Sequence, residues 1–154
     1  MLAFEPRETR VGGLRFVEVL SVTQIEGGIA GNVIPDRVSC TLSFRYAPGR
    51  APADAAAELE GLLGDAARLE VLGNSPPARV VVDTPLVERL RDAGDFAVEP
   101  KQAWTPVAEF TEHGLDAINL GPGPTRFAHK PDERVEIEEL ERTYTALQRF
   151  AEGV

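Results

Sequence analysis

The chain is poor in the side chains that most enzymes use for nucleophilic or redox chemistry. Its 154 residues include one cysteine (Cys40), two histidines (His113 and His129), one tryptophan and one methionine. A single cysteine excludes an internal disulfide and makes a reducing compartment the default. Cys40 falls within an alternating apolar run and reads as a small core residue. Cations are outnumbered, with 16 Lys and Arg against 25 Asp and Glu for a net charge of −9, and they are scattered. A surface that tracks phosphates needs clustered cations, so nucleic acid and anionic membrane are argued against as main partners. No apolar run reaches the length of a membrane span, and Met1–Arg7 has neither the basic start nor the apolar stretch of a secretory leader. A cytoplasmic location is the expectation. Repeats and low-complexity tracts are also lacking. Two histidines and a core-like cysteine give no Ser-His-Asp or Cys-His constellation. The glycines of Gly121-Pro122-Gly123-Pro124 lack both the Lys-Ser/Thr of a P-loop and the G-x-G-x-x-G spacing, so no phosphate cradle is assigned.

What is present suits one globular domain or two small lobes. Residues 14 to 26 are rich in β-formers and read as a strand, although Glu18 breaks the alternation. Val38, Cys40, Leu42 and Phe44 alternate with polar residues and give a cleaner strand, so an antiparallel pair is predicted. Ala55, Leu59, Leu62 and Leu63 have helical spacing, with Gly64 as the stop, and Arg68–Leu72 reads as a short edge strand. This half is α+β in type, and Gly73–Pro77 has linker composition. Beyond it, Thr84-Pro85 opens a helix that runs to Gly94. Phe96–Val98 and Ala117–Leu120 read as strands, Pro106–His113 as a helix closed by Gly114, and Ile137 to Phe150 as an amphipathic helix with Glu138 and Arg142 paired four apart. Alternating helix and strand predict an α/β arrangement with a parallel edge. Two convincing strands are few for a freestanding sheet, which suggests that a piece is missing.

Several residues could carry chemistry. The planar fork of Arg45 can bind a carboxylate through two parallel hydrogen bonds, or Arg45 can simply be exposed on a solvated sheet face. Asn32 is either a ligand contact or a turn residue that tolerates positive φ. His129 follows a predicted strand and turn, where ligand sites in open α/β sheets form. A neutral imidazole there suits zinc, with Asp132 or Glu133 orienting it; the alternative is a surface histidine. His113 reads as a surface residue at a helix C-terminus, and Trp104 as a core anchor.

Three motifs in order complete the picture: Gly31-Asn32-Val33-Ile34-Pro35-Asp36, Phe44-Arg45-Tyr46-Ala47-Pro48, and Gly121-Pro122-Gly123 followed by Ala128-His129-Lys130-Pro131-Asp132-Glu133. From about Leu14 to Phe150 the chain resembles the C-terminal half of the dimeric zinc aminoacylase and carboxypeptidase family. That resemblance implies a lid or dimerisation domain in residues 1–75, the tail of a ferredoxin-like α+β fold, and the last portion of a zinc-hydrolase α/β domain in residues 76–154. It makes His129 a zinc ligand and Asn32, Arg45, Thr105 and Gly123 contacts for a small N-acyl amino acid substrate, in a homodimer formed through the lid. The implied reaction is amide hydrolysis by two zinc ions on N-succinyl-LL-2,6-diaminopimelate, a step towards lysine. Many relatives have Thr-Asp where this chain has Thr105-Pro106, which keeps acetylornithine, another N-acyl amino acid or a peptide open as substrate. A non-catalytic module that pairs through its lid sheet is the second alternative. The family's other ligands, in His-x-Asp, a bridging Asp, a Glu-Glu pair and one further acid, have no counterpart here; Glu138-Glu139 lies on the terminal helix. One histidine cannot hold zinc firmly, so the expectation is a hydrolase fragment with incomplete chemistry.

Overall fold

Gly12 and Gly13 both take positive φ (57° and 78°), which glycine does at little cost, and so close a two-residue hairpin turn. The turn joins β1 (Glu8–Val11) to β2 (Leu14–Val17), with Val11 opposite Leu14. A Cβ on Gly12 would lie 2.8 Å from Val82 Cγ2, so the turn seats tightly on the segment that follows the linker. These features belong to a computed structural model that describes residues 4–153. Met1–Ala3, part of the stretch read above for a leader, lie outside the described residues.

The strand predicted over 14–26 is divided at Glu18, and its second piece, β3 (Val19–Gly27), pairs antiparallel with β4 (Val38–Arg45) as anticipated. Opposite the even-spaced Phe44, Leu42 and Cys40 of β4 stand Leu20, Val22 and Ile25. The register shifts between Val22 and Gln24, so Thr23 is the extra residue of a β-bulge. Its hydroxyl donates to Thr41 O at 3.2 Å. The bulge returns Ile25 to the apolar face that a strict period of two would have denied it. That face has little covering it: Val22, Ile25 and Val38 are 56%, 69% and 61% exposed. Cys40 is exposed as well, which corrects its reading as a core residue. A two-stranded ribbon buries a face only if another layer packs on it, and among the described residues none does along this stretch.

Four helices follow: α1 (Pro52–Leu63), α2 (Pro85–Gly94), α3 (Val107–Glu112) and α4 (Ile137–Glu152). α1 begins with a proline at its first positions and stops at Gly64, where φ is 49°. In α2 the Thr84 hydroxyl accepts from Val87 N at 3.4 Å, as the Thr-Pro signature predicts. α2 packs on α4, with Val87 and Leu90 buried on one side and Thr143 and Ala146 on the other. Gly94 sits at the closest approach, where an added Cβ would come within 2.6 Å of Ala146 Cβ. Gly94→Ala is therefore expected to lower stability by about 1–3 kcal/mol through overpacking, read from the urea midpoint. A parental midpoint would show that the helices slide apart at no cost. Arg142 pairs with Glu139 at 2.6 Å rather than with Glu138.

Three predicted strands, one in the first half and two in the second, are not formed. Arg68–Leu72, Phe96–Val98 and Ala117–Leu120 form no strands, and among the described residues the only sheets are the pairs β1–β2 and β3–β4. A strand exists through its ladder, and these segments form no ladder with one another or with the ribbons. The described chain is α+β, with no parallel edge. None of its helices is long and apolar enough to cross a membrane.

Candidate functional site

A cavity of about 300 Å³ opens between the base of the β3–β4 ribbon and the segments around residues 78–82, 96–105 and 117–120. Its floor is apolar, with Phe16, Val82, Leu90 and Ile118 contributing. The charge around it opposes that of the whole molecule. Arg45, Arg79, Arg91 and Lys101 line the wall against the single carboxylate of Glu99, in a chain of net charge −9. Arg79 is committed to Asp116 by an ion pair, which leaves Arg45 as an exposed cation at the end of β4. An apolar pocket of this size with a few convergent polar groups suits a small anion with an aliphatic body.

Thr105 lies on the same wall. Its carbonyl accepts from Ala108 N at 3.1 Å at the start of α3, and its hydroxyl accepts from Asn119 Nδ2 at 3.1 Å. The Gln102 carboxamide reaches back to β2; with its oxygen accepting from Val17 N–H (3.3 Å) and its nitrogen donating to Val17 C=O (3.1 Å), it supplies a side-chain rung between the two lobes. Tyr46 closes the wall where the linker passes. Its hydroxyl lies 2.7 Å from Asn74 Oδ1 and 2.8 Å from Ser75 O. Burial raises its pKa above the usual phenol value, against an opposing pull from Arg50, so it remains neutral. Gln102 and Asn119 were not singled out in the sequence; a carboxamide inside the apolar run 117–120 was the available signal.

Behind the wall lies a buried ionic cluster. Glu18, 2% exposed, accepts from Ala47 N (3.3 Å) and takes a two-point contact from Arg50 (2.9 and 2.8 Å). Arg50 also contacts Glu58 and lies 5.5 Å from the Phe44 ring centre, and Arg7 reaches Glu58 at 3.1 Å. The acid that breaks the alternation in 14–26 is thus the tie between β2, the turn after β4, and α1.

Gly123 and His129 belong to a separate loop. Gly123 has φ 76°, and a Cβ there would lie 3.0 Å from Val135 Cγ2, so the Gly-Pro-Gly turn closes on the end of the loop. Between them Phe127 carries the Arg134 guanidinium at 4.0 Å and that of Arg126 at 4.7 Å from its ring centre. His129 is exposed and has φ 60°, one of two non-glycine residues in the left-handed region among those described. The Glu133 carboxylate accepts from its backbone N–H at 3.1 Å, so this acid orients the main chain and not the imidazole. His113 caps α3, as predicted. Neither Gly123 nor His129 lines the cavity. Asn32 is farther still, exposed in the connection at the ribbon's tip, while Arg45 stands at its base. The seven steps of β4 separate the two ends by about 23 Å. Trp104 is 55% exposed, which corrects its reading as a core anchor. No group of three or more His, Cys, Asp or Glu that could hold a metal occurs among the described residues, so this chain's own donors do not fit a zinc site.

Residues 16–70 match the peptidase dimerisation domain family. Over 154 residues, 99% of this chain, the sequence is 32% identical to a Mycobacterium tuberculosis protein described provisionally as a succinyl-diaminopimelate desuccinylase, spanning 44% of that protein. It is 31% identical to a succinyl-diaminopimelate desuccinylase of Corynebacterium glutamicum (96% of this chain, 42% of the relative). An acetylornithine deacetylase of Myxococcus xanthus is 30% identical over 84% of this chain and 36% of the relative. Residues 16–70 thus match a peptidase dimerisation domain, and the chain as a whole is similar to the C-terminal part of desuccinylase-like relatives, spanning less than half of their length.

Proposed function

We infer that the chain is a C-terminal portion of a metal-dependent amidohydrolase and supplies its acyl-recognition wall, with N-succinyl-LL-2,6-diaminopimelate as the substrate. Residues 1–75 act as the lid and dimerisation domain, with a ferredoxin-like sheet. Residues 76–154 belong to the catalytic α/β domain. The carrying observation is that Arg45 and Thr105, sixty residues apart, line one apolar cavity whose wall is cationic in an acidic protein. The succinyl group offers a matching pair of features, a short aliphatic body and a terminal carboxylate. His129 serves the enzyme as one zinc ligand, with the remaining donors outside the described residues; Gly123 shapes its loop, and Asn32 meets substrate from the ribbon tip. The exposed apolar ribbon supports pairing of two lids into a homodimer. The single cysteine, with no disulfide to form within the chain, supports a cytoplasmic setting. The acetylornithine deacetylase relative supports the second reading, a smaller acyl group at the same wall.

Titration of the chain with succinate, followed by amide NMR shifts, tests this. Saturable shifts at Arg45 and Thr105 are expected. Arg45→Ala should weaken binding about tenfold or more, the scale of a charge-assisted hydrogen bond. Arg45→Lys should not restore it, because an ammonium cannot make the two-point contact. Undiminished binding by Arg45→Ala would sink the assignment.

A further inference from the structure

We propose that Asn119 is a positioning residue for carboxylate recognition: its carboxamide donates to Thr105 Oγ1 and so leaves the Thr105 hydroxyl proton for an anionic oxygen in the cavity. This rests on the reading of the cavity as the acyl site. A hydroxyl has one proton and two acceptor sites. Asn119 Nδ2 lies 3.1 Å from Thr105 Oγ1 and occupies one of those sites. Thr105 Oγ1 donates to no protein acceptor among the described residues, although the residue is half-buried. Its backbone cannot turn away, because its carbonyl is held by Ala108 N–H and the next residue, Pro106, fixes the entry to α3. Thr105, Asn119 and Arg45 all line the same cavity.

The polarity of this contact decides what the cavity accepts. With the carboxamide nitrogen towards Thr105, the hydroxyl becomes an outward donor and complements Arg45 in binding a carboxylate. With an acceptor at that position, the hydroxyl proton would be consumed inside the wall, and its lone pairs would face the ligand and repel an anion. Asn119→Asp imposes the second arrangement, since an ionised carboxylate can only accept. Asn119→Ala merely frees the hydroxyl to rotate. Purely structural support by Asn119 would make these two substitutions alike for every ligand. A polarity role separates them by ligand charge.

The chain is titrated at neutral pH with succinate and with succinamide, its neutral isostere. The unsubstituted chain should prefer succinate by about tenfold. Asn119→Ala should weaken succinate about threefold and leave succinamide nearly unchanged. Asn119→Asp should weaken succinate by at least about tenfold and abolish the preference. Thr105→Val keeps the side-chain shape without the hydroxyl; it should match Asn119→Ala in preference, and the pair should be non-additive. This second route keeps the test decisive if the Asp variant does not fold. Asn119→Asp binding with the parental affinity and preference, or additive Thr105→Val and Asn119→Ala effects, would overturn the role of Asn119 while leaving the cavity assignment intact. Absence of succinate binding by the unsubstituted chain would overturn both.

Discussion

Arg50→Ala is expected to lower the folding stability by about 3–5 kcal/mol, the cost of leaving one member of a buried ion pair without its partner. The Glu18 and Arg50 side chains are only 2% and 12% exposed, and both Arg50 contacts to Glu18 are shorter than 3 Å. Burial by itself would lower the Arg50 pKa, but the hydrogen bonds to Glu58 and Glu18 outweigh it and hold the guanidinium above its ordinary value. The pair is therefore made of two full charges that depend on each other. Removing the arginine leaves the Glu18 carboxylate with one weak donor, Ala47 N–H at 3.3 Å. It also removes the cation over Phe44 and frees Glu58 from everything but Arg7. With a urea slope of about 2 kcal/mol per molar, the midpoint should fall by roughly 1.5–2.5 M. The double variant Glu18→Leu with Arg50→Met should recover most of the loss, since replacing a whole buried pair by apolar groups is often neutral. A midpoint for Arg50→Ala close to the parent would falsify the claim that this cluster ties the lobe together.

The same cluster shows where sequence reading stops. Period-two patterning identified β4, because Val38, Cys40, Leu42 and Phe44 keep their alternation. In 14–26 the pattern fails twice, for local reasons: Glu18 is apolar in position but ionic in its partners, and Thr23 is an extra residue. β1 was missed although Gly12-Gly13 between two short runs is a hairpin signal. Helix ends were legible at Thr84-Pro85 and Gly64, where the capping chemistry is local. Exposure was not. Cys40 and Trp104 look like core residues in a string of letters, but burial needs a second layer, and neither residue has one here. Likewise Phe96–Val98 and Ala117–Leu120 have strand composition without a ladder partner. For the site, Arg45 and His129 could be named from residue type and motif. Arg45 and Thr105 share a wall, whereas Asn32, Gly123 and His129 lie elsewhere, and this is a property of the packing alone.

Supplied with zinc and N-succinyl-LL-2,6-diaminopimelate, the chain is expected to release succinate no faster than its His129→Ala variant. A catalytic zinc needs about three protein ligands and an open position, and the described residues hold no such group. Enzymes of ordinary power accelerate reactions by a million-fold or more, so even a marginal site would show as turnover well above the variant. Clear turnover that disappears in His129→Ala would mean that donors from elsewhere, including a second copy of the chain, complete a centre around this histidine. The conformation of His129 gives the comparison meaning. A φ of 60° costs a non-glycine residue about 1 kcal/mol or more, and the surroundings hold it through Glu133 and the Phe127–Arg134 stack. Asparagine or glycine would relieve that cost at an exposed loop position. The Glu133 contact falls on the His129 backbone N–H and leaves the imidazole out of that bond. The cavity should still bind succinate under the same conditions, so one experiment reads recognition and turnover separately.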